Sequence, residues 1–173
     1  MSSSESCKTV FVTVGTTQFN ELIEQVLHPE TLEILEQDDF THLILQIGTG
    51  INPTLPERVN GKLNISWYRL KDSIASDIEA ASLVISHAGA GCCMQVLNMA
   101  KPLLVVVNQK LMGNHQLELA QKLQDDQHVL MAYPETLRSA LSEFKTLTLE
   151  HLARLTGNVA TISAHVDDSH KFA

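Results

Sequence analysis

The residues of this chain whose types and spacing suit chemistry fall in three short stretches. In SHAGAGCC, residues 86–93, an apolar run ends at His87 and is followed by Gly89, Ala90 and Gly91. In VGTT, residues 14–17, a β-branched run ends at Gly15, Thr16 and Thr17. In GNHQ, residues 113–116, Asn114, His115 and Gln116 come shortly after the run PLLVVV. Small residues between a strand and a helix leave backbone N–H groups free, and at a helix N-terminus those groups and the helix dipole attract anions. Glycine lets a phosphate come close to the backbone, and the imidazole of His87 adds a side-chain donor at the same place. Such glycines can also do no more than turn the chain. For Gly15 by itself both readings stay open, whereas Gly89 and Gly91 beside His87 favour a phosphate. GNHQ alone reads as a polar helix cap. Its amides and imidazole also both donate and accept, as sugar hydroxyls require.

Several other chemistries lack their residues. A dinucleotide fold wants G-x-G-x-x-G after the first strand, and only Gly15-Thr16-Thr17 stands there. Neither a phosphate-binding G-x-x-x-x-G-K-[ST] nor an Asp-x-Asp metal clamp occurs. Cys92 and Cys93 have no base and orienting acid at recognisable spacing, so packing or a phosphate contact suits them better than a nucleophile's role. Three cysteines in all make neither a disulfide framework nor a metal cluster. No metal and no cofactor are expected.

The bulk properties set the scale. The 173 residues are 44% hydrophobic and 18% charged, which suits one globular domain. A net charge of −8 argues against broad contact with nucleic acid, where basic patches carry the binding. No apolar run approaches the ~20 residues of a membrane span, and MSSSESCKTV lacks the features of a signal peptide. A soluble protein of a reducing compartment is the expectation.

Positioning the three stretches requires a particular set of elements. KTVFVTVG (8–15), HLILQIG (42–48), NISWYRL (64–70), SLVIS (82–86), PLLVVV (102–107) and HVLMA (128–132) read as strands. Between them lie amphipathic stretches with helical spacing. Thr16 or Thr17 is expected to cap the first helix, which carries Leu22, Ile23, Val26 and Leu27. Pro29 ends that helix or starts another near Leu32–Leu35. Asp72 or Ser73 is expected to cap a helix through Ile74, Ile78 and Ala81. Further helices are expected over about 91–100, 114–123 and 134–144. Apolar strands alternating with amphipathic helices predict an α/β fold, an open parallel sheet with helices on both faces. Its ligand belongs at the carboxyl ends of the strands.

SHAGAGCCMQ followed by KPLLVVVNQKLMGNHQLELA resembles the donor-binding half of two-domain GT-B glycosyltransferases, and within them family 28. With VFVTVGTTQFNELI, LILQIG and WYRLKDSI, the chain is similar to the small cytosolic subunits of UDP-N-acetylglucosamine transferases of asparagine-linked glycosylation. The likeness runs from about Lys8 to Leu141. It implies that His87, Gly89, Ala90 and Gly91 hold the diphosphate of the sugar nucleotide, with Gly15, Thr16 and Thr17 as a second loop facing the cleft. It implies that backbone groups at Leu70 and Lys71 meet the uracil, and that Asn114, His115 and Gln116 contact the transferred sugar. Two positions depart from the family: Cys92 stands where a serine is usual, and Gln95 where an acid usually grips the ribose. A thiol donates weakly, and glutamine loses a charge-assisted bond, so each change weakens binding by about 1 kcal/mol.

The resemblance also implies inverting transfer of N-acetylglucosamine from UDP to N-acetylglucosaminyl-diphosphodolichol. A two-domain enzyme needs about twice this length. The resemblance implies that a membrane-anchored partner subunit brings the dolichol-linked acceptor and the catalytic base, and recruits this chain to the cytosolic face of the endoplasmic reticulum. The domain layout expected is a disordered 1–7, a nucleotide-sugar domain over 8–144, and a helix and tail over 145–173 that face the domain or the partner. Cys92 and Gln95 also fit a different protein, a paralogue that binds the sugar nucleotide or the partner and has lost turnover. A nicotinamide-dependent oxidoreductase is the remaining, remote alternative.

Overall fold

The structure is a computed structural model that describes residues 6–57, 61–110 and 115–146. Its elements run β1 (Thr9–Thr13), α1 (Asn20–Val26), α2 (Pro29–Gln37), β2 (His42–Gln46), β3 (Asn64–Tyr68), α3 (Ala75–Ala80), β4 (Leu83–His87), α4 (Ala90–Asn98), β5 (Leu103–Val106), α5 (His115–Asp125), β6 (Leu130–Ala132) and α6 (Leu137–Thr146). Every strand pair is parallel, in the order β3-β2-β1-β4-β5-β6. This is the expected α/β fold. The order reverses at β1, which pairs with β2 on one side and β4 on the other. In an open sheet the crevice at such a reversal, beyond the carboxyl ends of the strands, is where ligands bind.

Alternation of side chains along a strand explains why these strands are apolar throughout. Val10 and Val12 of β1 face one core, with Leu22 and Val26 of α1, Leu32 and Leu35 of α2, and Leu137 and Leu141 of α6. Phe11, between them, faces the other core, with Ile78 of α3, Val96 and Leu97 of α4, and Ala120 and Leu123 of α5. With both faces covered, neither set of positions tolerates a polar residue without a partner. Phe11 is fully buried, so its loss to alanine costs about 3–5 kcal/mol. β3, at the sheet edge, is only partly buried.

Pro29 starts α2 rather than ending α1, because its fixed φ suits a first helical turn. The expected caps are corrected in detail. Thr16 and Thr17 do not cap α1: the chain turns at Gly15 (φ +62°), the Thr17 hydroxyl donates to the Val14 carbonyl at 2.9 Å, and α1 begins only after Phe19. Ser73 accepts from the Ala75 N–H at 3.2 Å, just ahead of α3. Helix α6 reaches Thr146, and Lys145 pairs with Asp38 at 2.7 Å. The expected tail helix over 147–155 lies outside the described residues. Among the described residues, no helix is long and apolar enough to cross a membrane.

Candidate functional site

The loops after β1 and β4 meet at the reversal point. Gly15 adopts a left-handed φ of +62°, and a Cβ added there would stand 2.9 Å from His87 Cε1 and 3.5 Å from Cys92 Sγ. Gly89 sits against the same imidazole: an added Cβ would stand 2.7 Å from His87 Cε1 and nearer still to Nε2. The two glycines thus make room for the ring between the loops. Gly91 is different. Among the described residues, a Cβ there would meet nothing within 4 Å, so their packing gives no reason for a glycine.

Helix α4 opens directly on this spot. Gly89 is its N-cap, with no side chain bonding the first turn and no acidic residue in that turn. The Cys93 N–H reaches the Gly89 carbonyl at 3.0 Å, so the amides of Ala90, Gly91 and Cys92 precede the first intrahelical bond. They carry the positive end of the helix dipole. Cys92 is half-buried in the first turn, and Gln95, also half-buried, stands one turn further along.

His87 is 7% exposed, and its Nδ1 has no hydrogen-bond partner among the described residues. Burial lowers its pKa from the ordinary 6.5, against a weaker opposite push from the Thr13 backbone. The ring is therefore neutral at pH 7, with one nitrogen to donate and one to accept. Burial likewise pushes the Cys92 thiol up, and the Cys93 thiol up to about 12. Neither is a thiolate at neutral pH, which agrees with packing rather than nucleophilic roles.

Thr13 and Gln46 are residues that the sequence reading missed. Both are buried, and they are register partners on β1 and β2. The Thr13 hydroxyl donates to Gln46 Oε1 and accepts from the Gly15 N–H at 3.0 Å. Thr13 therefore anchors the glycine turn from below. The signal was present: each is a polar residue directly after the apolar run of its strand, at the carboxyl end. Gly48 was missed as well. Its φ is +58°, the Gly48 N–H reaches the Arg69 carbonyl at 3.0 Å, and the Thr49 N–H reaches the Thr17 carbonyl at 3.0 Å. A Cβ at Gly48 would collide with that Thr17 carbonyl.

The remaining expected residues lie further out. Thr16 and Thr17 are exposed on the β1–α1 turn. Leu70 and Lys71 follow β3 at the same end of the sheet. Leu70 is 51% exposed, while the Lys71 ammonium turns back to Asp77 at 3.0 Å. His115 is exposed at the start of α5, and Gln116 Oε1 is buried without a partner among the described residues. Asn114 lies outside the described residues.

Comparison with known proteins places the chain in a family. Residues 9–161 match the glycosyltransferase family 28 C-terminal domain. Over 123 residues the chain is 50% identical to the human UDP-N-acetylglucosamine transferase subunit ALG13, a match covering 70% of this chain and 11% of that protein. The chain thus spans about a tenth of that relative's length. An NMR solution structure of ALG13 superposes with a TM-score of 0.60 at 28% identity, covering 80% of this chain and 84% of that one. The crystal structure of MurG from Acinetobacter baumannii superposes with a TM-score of 0.63 at 18% identity, covering 95% of this chain and half of that one. The latter likeness concerns the fold alone.

Proposed function

From the premise that this chain belongs to the glycosyltransferase family 28 C-terminal domain, we propose that it is the donor-binding half of an inverting transferase using UDP-N-acetylglucosamine. One observation carries the reading. The Gly15 turn, His87 and the uncapped start of α4 meet where the strand order reverses, with Cβ-sized room withheld at Gly15 and Gly89. The diphosphate sits over Gly91 and takes N–H bonds from the first turn of α4. Neutral His87 donates from one nitrogen. The uracil lies toward Leu70 and Lys71, and the sugar toward Asn114, His115 and Gln116.

Transfer then proceeds as a single displacement. The acceptor hydroxyl attacks the anomeric carbon, the bond to the UDP oxygen breaks, and UDP leaves carrying the electron pair. Negative charge builds on the diphosphate, where the α4 amides are already aimed. Each such preorganised donor is worth about 10²–10³ in rate. The acceptor's proton goes to a base on a second, membrane-anchored subunit. That subunit also presents N-acetylglucosaminyl-diphosphodolichol at the cytosolic face of the endoplasmic reticulum, and the product is the β1,4-linked second sugar.

Half-buried Cys92 and uncharged Gln95 at the donor site support a second reading, a subunit that binds the sugar nucleotide without turning it over. Two measurements separate the readings. Calorimetric titration of the chain with UDP-N-acetylglucosamine tests donor binding, and no heat of binding would rule out both forms. Radiolabelled transfer to a dolichol-linked acceptor, with the partner co-expressed, tests turnover. If wild type is silent and Cys92→Ser/Gln95→Glu is active, the binding-only form stands.

A further inference from the structure

Asp77 is a carboxylate of α3 that is only 7% exposed. Both groups that satisfy it come from the connection leading into α3. The Tyr68 hydroxyl donates to Oδ2 at 2.5 Å, and the Lys71 ammonium donates to Oδ1 at 3.2 Å and Oδ2 at 3.0 Å. The same ammonium lies 4.1 Å from the centre of the Tyr68 ring. These three side chains close a ring over residues 68–77, the whole span from β3 to α3. Burial, then Asp77, pushes the Tyr68 phenol up, so it stays a donor. The Lys71 side chain is 43% exposed, so its pairing with Asp77 by itself adds little to stability. The cluster's distinct effect is on geometry.

The other flank of the turn is fixed independently. The Arg69 guanidinium donates to the carbonyls of Gly48 at 3.2 Å and Gly50 at 2.8 Å, and to Asn52 Oδ1. The ladder between β2 and β3 ends where the Gly48 N–H meets the Arg69 carbonyl. The peptide groups of Leu70 and Lys71 come just past that point, held from two sides.

We propose that Asp77, with Tyr68 and Lys71, is a positioning group that sets the peptide geometry at Leu70–Lys71 by which the donor's base is chosen. This rests on the donor-binding reading above. A base read by main-chain groups is selected through their direction, because uracil offers an N–H where cytosine offers an acceptor. The carboxylate itself points into the turn, onto Tyr68 and Lys71.

The test titrates UDP, CDP and inorganic diphosphate into the full chain, in wild type, Asp77→Asn and Tyr68→Phe. Asp77→Asn is expected to bind UDP about tenfold more weakly, in line with loss of bonds to a charged group. Its diphosphate affinity stays within about twofold, and its preference for UDP over CDP shrinks. Tyr68→Phe keeps the ring and the Lys71–Asp77 pair and gives a smaller shift in the same direction, which preserves the test should Asp77→Asn not fold. Unchanged UDP affinity and preference in the variants would overturn the inference alone, as would equal losses for UDP and diphosphate. Wild type that binds neither nucleotide would overturn the donor reading and this inference with it.

Discussion

Gly91→Ala separates ligand from architecture, because the structure leaves open space where the new methyl would go. Gly91 is the second residue of α4 and has no left-handed φ. Alanine there should stabilise the free protein, since glycine costs a helix about 0.5–1 kcal/mol relative to alanine. For a chain of this size that raises Tm by about 1–4 °C. Donor binding should move the other way. On the proposed donor-binding reading, a methyl on Gly91 Cα obstructs the diphosphate's approach to the α4 amides, and a hydrogen bond to a charged group is worth about 1.5–3 kcal/mol. Losing one weakens UDP binding by about 10- to 100-fold. Thermal melts and calorimetric titration with UDP, run on one preparation, read both effects. A raised Tm with unchanged UDP affinity would remove the diphosphate from this helix end. A lowered Tm would contradict the packing itself.

Three further outcomes follow from the same geometry. His87 has a folded-state pKa below its ordinary 6.5, so the unfolded chain binds more protons between those two values and stability falls as pH drops below about 6.5. In His87→Gln that decline should be shallower in urea titrations at pH 7.5 and pH 5.5, and an identical decline refutes the assignment. Thr13→Val takes the hydroxyl partner from buried Gln46 Oε1 and from the part-buried Gly15 N–H. It should cost about 1–3 kcal/mol by urea unfolding, and a neutral effect would show that the polar anchor is dispensable. With iodoacetamide at neutral pH, exposed Cys7 should be alkylated first and Cys93, pushed up to about 12 by burial and then by Cys92, last. Peptide mass spectrometry giving the reverse order would show that the first turn of α4 opens in solution.

Much of this protein can be read from its sequence because the governing interactions are local. Uninterrupted apolar runs such as VFVTV and PLLVVV require burial on both faces of a strand, and with amphipathic stretches between them they specify a parallel sheet under two helical layers. Glycines at 15 and 89 mark backbone that must turn or be approached closely, as they are by the His87 ring in the structure. The tertiary structure decided what depends on residues distant in the chain. Spacing alone does not place β1 between β2 and β4, so only the fold brings Gly15 to His87. Likewise, only the register of β1 with β2 sets the Thr13 hydroxyl on Gln46, and only the path from β3 to α3 closes Tyr68, Lys71 and Asp77 into one cluster. Partnerships of buried polar groups are fixed by which strands are neighbours, and that order comes from burying both faces of the whole sheet at once.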